Sequence, residues 1–275
     1  MKHHSVIVTV SIAFACFLPP PKASAQEKVA DYLEVHQGNL PIILENAHGG
    51  MKDIPSIRPV PNLGGCDRYT LELTRLIQKR MIERTGQSPE VVAVLADRKF
   101  IDVNREAGPK AYTHEFTKKI YETHYEQIDA ALARVKKRHG TGLMVLIHSG
   151  FNYPVQIDIG VNHKEQWCTI PLFVSRHGWD IFHGSNGIGG RLFKRGYEMP
   201  GFGSIPPRSG PAGIPILTRC RKKDNIGIDG LEFEFQGSTL LFDEQKRQKL
   251  AIDVADVLLD FVNKYYTKIP FKKEP

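Results

Sequence analysis

Leu143-Met144-Val145-Leu146-Ile147-His148-Ser149-Gly150 decides the fold: five consecutive apolar residues, the length of a buried strand, run straight into a histidine. The same design occurs twice more. Pro41-Ile42-Ile43-Leu44-Glu45-Asn46-Ala47 runs into His48-Gly49-Gly50. Val91-Val92-Ala93-Val94-Leu95-Ala96 runs into Asp97-Arg98 and then Ile101-Asp102-Val103-Asn104-Arg105. In an open α/β sheet, ligands bind in the crevice outside the carboxyl ends of the strands. Two histidines and two arginines delivered to such ends make a candidate site. Imidazoles suit Zn²⁺ and guanidiniums suit a carboxylate, so the pattern points to an enzyme.

Working outward, strand-like runs occupy 41–47, 91–96, 143–148, 171–175, 214–218 and 231–236. Helical spacing fills the gaps. Leu71, Leu73, Leu76, Ile77 and Met81 recur over 67–84, with Gly86 as the stop. Phe116, Ile120, Tyr121, Ile128, Leu132 and Val135 recur over 114–139, stopped by Gly140. Leu250, Val254, Val257, Leu258, Phe261 and Tyr265 recur over 243–265. Strands separated by helices of this length favour parallel pairing with both faces covered. The expectation is one α/β domain over 26–275 with a mixed, mostly parallel sheet flanked by helices. From 184 to 229 the chain is rich in Gly, Pro, Ser and Arg without a sustained period. It reads as an irregular insertion over the substrate.

The first 25 residues read as a secretory signal peptide: a short basic start, an apolar run from Ser5 to Leu18, prolines, and Ala23-Ser24-Ala25 before Gln26. The apolar run is too short for a transmembrane span, which needs about 18 residues, and no other segment could cross a membrane. The expected location is therefore secreted, in a periplasm. Losing Lys2 and Lys22 lowers the formal charge from +7 to +5. That excess is scattered without interleaved aromatics, which argues against nucleic acid as partner, and no protein partner is evident. Cys66, Cys168 and Cys220 remain, an odd count without C-x-x-C spacing, which excludes a zinc ribbon. Cys168 and Cys220 are the pair that a disulfide would staple in the irregular region.

A zinc site needs a third protein ligand beside His48 and His148, with an open position for water. Asp67, after Gly64-Gly65 at the entry to a helix, is the first candidate, although Asp there also suits an ordinary N-cap. Glu45 is the rival. Arg98 and Arg105 carry forks suited to a carboxylate, Asn104 adds an amide donor, and Asp102 would orient one of the arginines. Glu232 and Glu234 alternate on one strand face, where either would serve as general base.

These residues resemble the N-formylglutamate amidohydrolase family, zinc hydrolases with the phosphorylase/hydrolase-like fold shared with zinc carboxypeptidases and aspartoacylases. The matching stretches are Asn46-Ala47-His48-Gly49-Gly50 with Ile54-Pro55, Asp67 before its helix, and Arg98 through Arg105. Ile147-His148-Ser149-Gly150, Asp158-Ile159-Gly160, Leu231-Glu232-Phe233-Glu234 and Phe242-Asp243-Glu244 complete the set, covering most of 40–265. The resemblance implies that His48, Asp67 and His148 ligate zinc and that Asn104 and Arg105 hold a substrate carboxylate. It further implies that Arg98 polarises the scissile carbonyl and that Glu234 activates water. The carboxypeptidase H-x-x-E pair is absent, since Met51 stands three residues after His48. The expected substrate is a small molecule or peptide with a free carboxylate, cleaved at a C–N amide bond. The alternative is a non-catalytic periplasmic binding protein that keeps the arginine clamp without the metal.

Overall fold

Six strands form one mixed sheet in the order β1-β3-β2-β4-β6-β5. They are β1 (Leu33–His36), β2 (Ile42–Asn46), β3 (Glu90–Val94), β4 (Gly142–Gly150), β5 (Ile157–Gly160) and β6 (Ile228–Gln236). The computed structural model describes residues 27–150, 155–160, 178, 184–201, 214–225 and 227–272. The four central strands are parallel, and the edge strands β1 and β5 run antiparallel to their neighbours. β2 and β3 are buried along their whole length. That is why their sequences read as unbroken apolar runs rather than alternating ones.

Alternation still sorts the side chains between two cores. Ile42, Leu44, Leu143, Val145, Ile147, Leu231, Phe233 and Phe235 pack against α1 (Thr70–Thr85) and the C-terminal helix (Glu244–Tyr265). Ile43, Val92, Val94, Met144 and Leu146 face α2 (Glu115–His139). Two of the long helices start at a capping side chain and two stop at a glycine. His114 caps α2 by accepting from the Phe116 N–H, and Asp243 caps the C-terminal helix by accepting from the Lys246 N–H. Gly86 and Gly140 end α1 and α2 in the left-handed conformation. Arg80 on α1 forks onto Asp256 of the C-terminal helix through two bonds of 3.0 Å.

Three expectations change. The run 214–218 is not a strand: Ile214–Leu217 is a short helix (α4) continued by a 3-10 turn. Pro215 lacks the N–H that a ladder requires but fits a first helical turn, where that donor is unused. The stretch 184–229 is not wholly irregular, because Ile188–Phe193 forms helix α3 and β6 already begins at Ile228. The C-terminal helix is therefore α5. The edge strands β1 and β5 were not expected at all. The proposed strand at 171–175, the leader at 1–25 and Cys168 lie outside the described residues, while Cys220 is a buried free thiol. Among the described residues no helix is long and apolar enough to cross a membrane.

Candidate metal centre

His48, Asp67 and His148 converge at the carboxyl ends of β2 and β4, each offering one ligand-type atom within 4.8 Å of the others. Asn46 organises this corner. Its side-chain amide donates to the Ile147 carbonyl of β4 and to the Thr74 hydroxyl of α1, while its Oδ1 accepts from the Gly49 N–H. The two glycines after His48 are required by close approach. A Cβ on Gly50 would stand 2.3 Å from the Leu95 carbonyl carbon, and one on Gly49 would stand 2.4 Å from Asn46 Oδ1. The chain then returns so that the Asp67 N–H donates to the His48 carbonyl at 2.9 Å.

Asp67 does not cap α1. The cap position is Tyr69, which makes no side-chain cap bond, so the Asp67 carboxylate is left to the centre. Asp67 Oδ2 lies 3.2 Å from His148 Nδ1 and 3.6 Å from His48 Nδ1, and it accepts from the Ser149 N–H at 3.1 Å. Ligands about 2.0–2.1 Å from one tetrahedral zinc stand roughly 3.3 Å apart; the two Asp67 contacts match that spacing, and the trio, within 4.8 Å, would have to draw together to hold one ion. Burial opposes ionisation of Asp67, but the two imidazoles outweigh it and hold the carboxyl far below its usual range. Burial likewise opposes charge on His148, yet Glu232, Asp67 and Glu234 together raise it to about 10. A bound cation would have to displace the proton that these carboxylates favour on His148.

The outward nitrogens are held as well. His48 Nε2 lies 2.7 Å from Asp102 Oδ1, which fixes the ring with Nδ1 turned inward. His148 Nε2 lies 3.4 Å from Asn104 Nδ2, while Asn104 Oδ1 is buried without a partner. Turning that amide over would give the His148 Nε2–H an acceptor, the arrangement a ligating Nδ1 requires. The donor set of two imidazoles and one carboxylate therefore fits zinc, and its surroundings fit the tautomers that zinc needs.

Asp102 does more than sequence reading gave it. Besides His48, its fully buried carboxylate accepts from Arg98 Nε and Nη2, Arg105 Nε and the Asn104 N–H. It thus orients both arginines and one imidazole. Arg98 also reaches toward Asp67 Oδ1 at 3.7 Å. Arg105 commits only Nε, leaving its terminal amines on a half-open side chain, and Tyr121 and Tyr125 of α2 tether the loop through the Arg105 and Val103 carbonyls.

Glu234 stands beside His148 in the β4–β6 register, and Glu232 beside Leu146, on the same face. Burial raises the Glu234 carboxyl, with Asp67 and Asp158 adding to the rise and the two histidines opposing it. Glu45, the rival ligand, is elsewhere: it is buried against α2 with Oε1 3.0 Å from His124 Nε2. It shares its sheet face with Leu146, its partner in the register, and its contact there is His124 of α2, not a member of the ligand trio.

Solved structures that share this fold include the following two. One is the crystal structure of N-formylglutamate amidohydrolase from Ralstonia eutropha, with TM-score 0.54 and 12% identity over 85% of this chain and 98% of that one. The other is a gene product from Agrobacterium tumefaciens, with TM-score 0.58 and 16% identity over 85% and 95%. At such identities the likeness establishes the fold. No protein-family description matches the sequence, and no curated protein matches it significantly.

Proposed function

We propose that the chain is a zinc-dependent hydrolase of a C–N amide bond in a carboxylate-bearing substrate, an N-acyl amino acid or peptide. The observation that carries this reading is the convergence of His48, Asp67 and His148, with ligand-type atoms within 4.8 Å of one another and Asp67 Oδ2 3.2 and 3.6 Å from the two Nδ1 atoms, while Asp102 and Asn104 stand at the outward nitrogens. A fold shared with an N-formylglutamate amidohydrolase agrees with it.

Zinc, when bound, supplies a Lewis acid beside the scissile carbonyl. Arg98, braced by Asp102, directs its remaining N–H groups at the carbonyl oxygen as negative charge develops there. Glu234 takes the proton of the attacking water and passes it to the leaving amine; a carboxyl raised by burial is suited to both transfers. Arg105 and Asn104 hold the free carboxylate of the substrate, the guanidinium through its planar fork. A binding protein without metal would leave the convergence of three ligand atoms unexplained. Location outside the cytoplasm is part of the proposal and rests on the leader sequence alone; a mature N-terminus at Gln26 is its test.

Release of amine from N-acyl amino acids by the zinc-loaded protein tests the reading. Cleavage should require a free α-carboxylate and vanish with the corresponding carboxamides. No cleavage of any member of such a panel at full zinc occupancy would refute it.

A further inference from the structure

A cavity of about 270 Å³ opens beside the ligand trio, lined by Cys66, Asp67, Arg68, Ser149, Gly237 and Phe242. Asp67 belongs to both, so a group held in the cavity lies against the metal centre. Its far wall is an unusual piece of backbone. Straight after β6, the strand of Glu234, residues Gly237–Leu241 make a π-helical turn closed by the Phe242 N–H donating to the Gly237 carbonyl at 3.1 Å. Such turns are rare and concentrate at functional sites.

The turn presents Phe242 with 43% of its surface open, a large apolar ring at the mouth of a polar site. The ring is held in place rather than loose. Tyr69 meets it edge-to-face at 5.7 Å, and Tyr69 itself sits at φ 67°, a left-handed conformation costly to a bulky residue. The Arg247 guanidinium lies 4.6 Å over the Tyr69 ring, pairs with Glu72 at 2.8 Å and donates to the Leu241 carbonyl of the π turn. One network therefore ties the strained Tyr69, the Phe242 ring and the π turn together, and Phe242 lines the cavity.

We propose that this cavity is the subsite for an aromatic group flanking the scissile amide, so that the protein selects phenyl-bearing substrates over formyl ones. An apolar cavity of ~150 Å³ accepts benzene; at about 270 Å³, with the Phe242 ring in its wall, this more polar one has room for a phenyl group, whereas a formyl group would leave it to water. The word substrate rests on the hydrolase reading; the binding preference does not.

Isothermal titration of the zinc-loaded protein with 3-phenylpropanoate and with propanoate measures what the ring contributes. Burial of a phenyl group should tighten binding on the order of 10- to 100-fold. Phe242→Ala removes the stacking wall. Gly237→Leu fills the space: a Cβ there meets the Phe242 ring at 3.5 Å and the Gly150 carbonyl at 3.8 Å, both ordinary contacts. Each substitution should collapse the phenyl preference toward unity. Alkylation of Cys66, followed by peptide mapping, should slow with 3-phenylpropanoate and not with propanoate. The labelling is run at alkaline pH because burial raises that thiol.

A wild-type ratio near one, or a preference that survives both substitutions, overturns the subsite. If the preference behaves as described and no N-benzoyl or other aromatic amide is cleaved, the subsite stands and the hydrolase reading fails. If short N-acyl substrates are cleaved and the phenyl probe binds no better than propanoate, the hydrolase stands and the subsite fails.

Discussion

Asp102→Asn is the sharpest perturbation available, because one buried carboxylate serves His48 and both arginines. In the native protein Oδ1 takes His48 Nε2 at 2.7 Å and the Asn104 N–H at 3.1 Å. Oδ2 takes Arg98 at 2.9 and 3.1 Å and Arg105 at 2.9 Å. Asparagine keeps the shape but has one acceptor oxygen. If that oxygen faces the arginines, the new NH₂ faces the His48 Nε2–H. The imidazole must then shift its proton to Nδ1, the atom proposed to bind zinc. If the oxygen faces His48, the NH₂ confronts three guanidinium donors. Loss of such an orienting partner typically costs 10- to 100-fold in metal affinity, ~1.4–2.8 kcal/mol. The metal-free fold should lose stability as well, on the order of 1–3 kcal/mol, because the fully buried side chain then sets an N–H against donors. Competition with a chromophoric chelator gives the zinc Kd, and urea unfolding of the metal-free protein gives the stability change. A zinc Kd equal to wild type would refute the claim that Asp102 fixes the His48 tautomer.

Arg105→Lys keeps the charge and loses the fork, so kcat/KM for free-carboxylate substrates should fall roughly 10- to 150-fold, the loss of one charge-assisted contact. An unchanged value would place the carboxylate elsewhere. Glu234→Gln should retain full zinc by elemental analysis while kcat drops ~10²–10⁴. A dead Glu232→Gln beside an active Glu234→Gln would move the base by one inward-facing position. Gly50→Ala drives a methyl into the Leu95 backbone and should cost ~1–3 kcal/mol by urea denaturation, with wild-type stability counting against the close approach.

The central strands and long helices were legible because each is long enough to show its period and is bounded by a stop such as Gly86 or Gly140. The edge strands were not. Leu33–His36 and Ile157–Gly160 have four residues each, too few for alternation to stand out. Helix α3 was hidden by glycines, poor helix formers, at its second and third positions. Ile214–Leu217 was misread because a short apolar run has no period of its own, and Pro215 was the overlooked signal. In the site, His48 and His148 were visible as polar ends of apolar strands. Glu45 stays a rival to Asp67 in the sequence because its partner His124 lies 79 residues away. The triple duty of Asp102 depends on the Arg98–Arg105 loop folding back on β2. The cavity beside the trio draws Cys66, Ser149 and Phe242 from three distant segments, and no local pattern announces it.

The most direct test of the central claim is a zinc titration of the metal-stripped, untagged protein, with bound metal counted by native mass spectrometry and amide hydrolysis followed in the same samples. Activity should rise in proportion to zinc and saturate at one equivalent, and His148→Ala should abolish both the bound zinc and the hydrolysis. Hydrolysis that persists in the stripped protein, or full zinc occupancy in His148→Ala, would contradict the account.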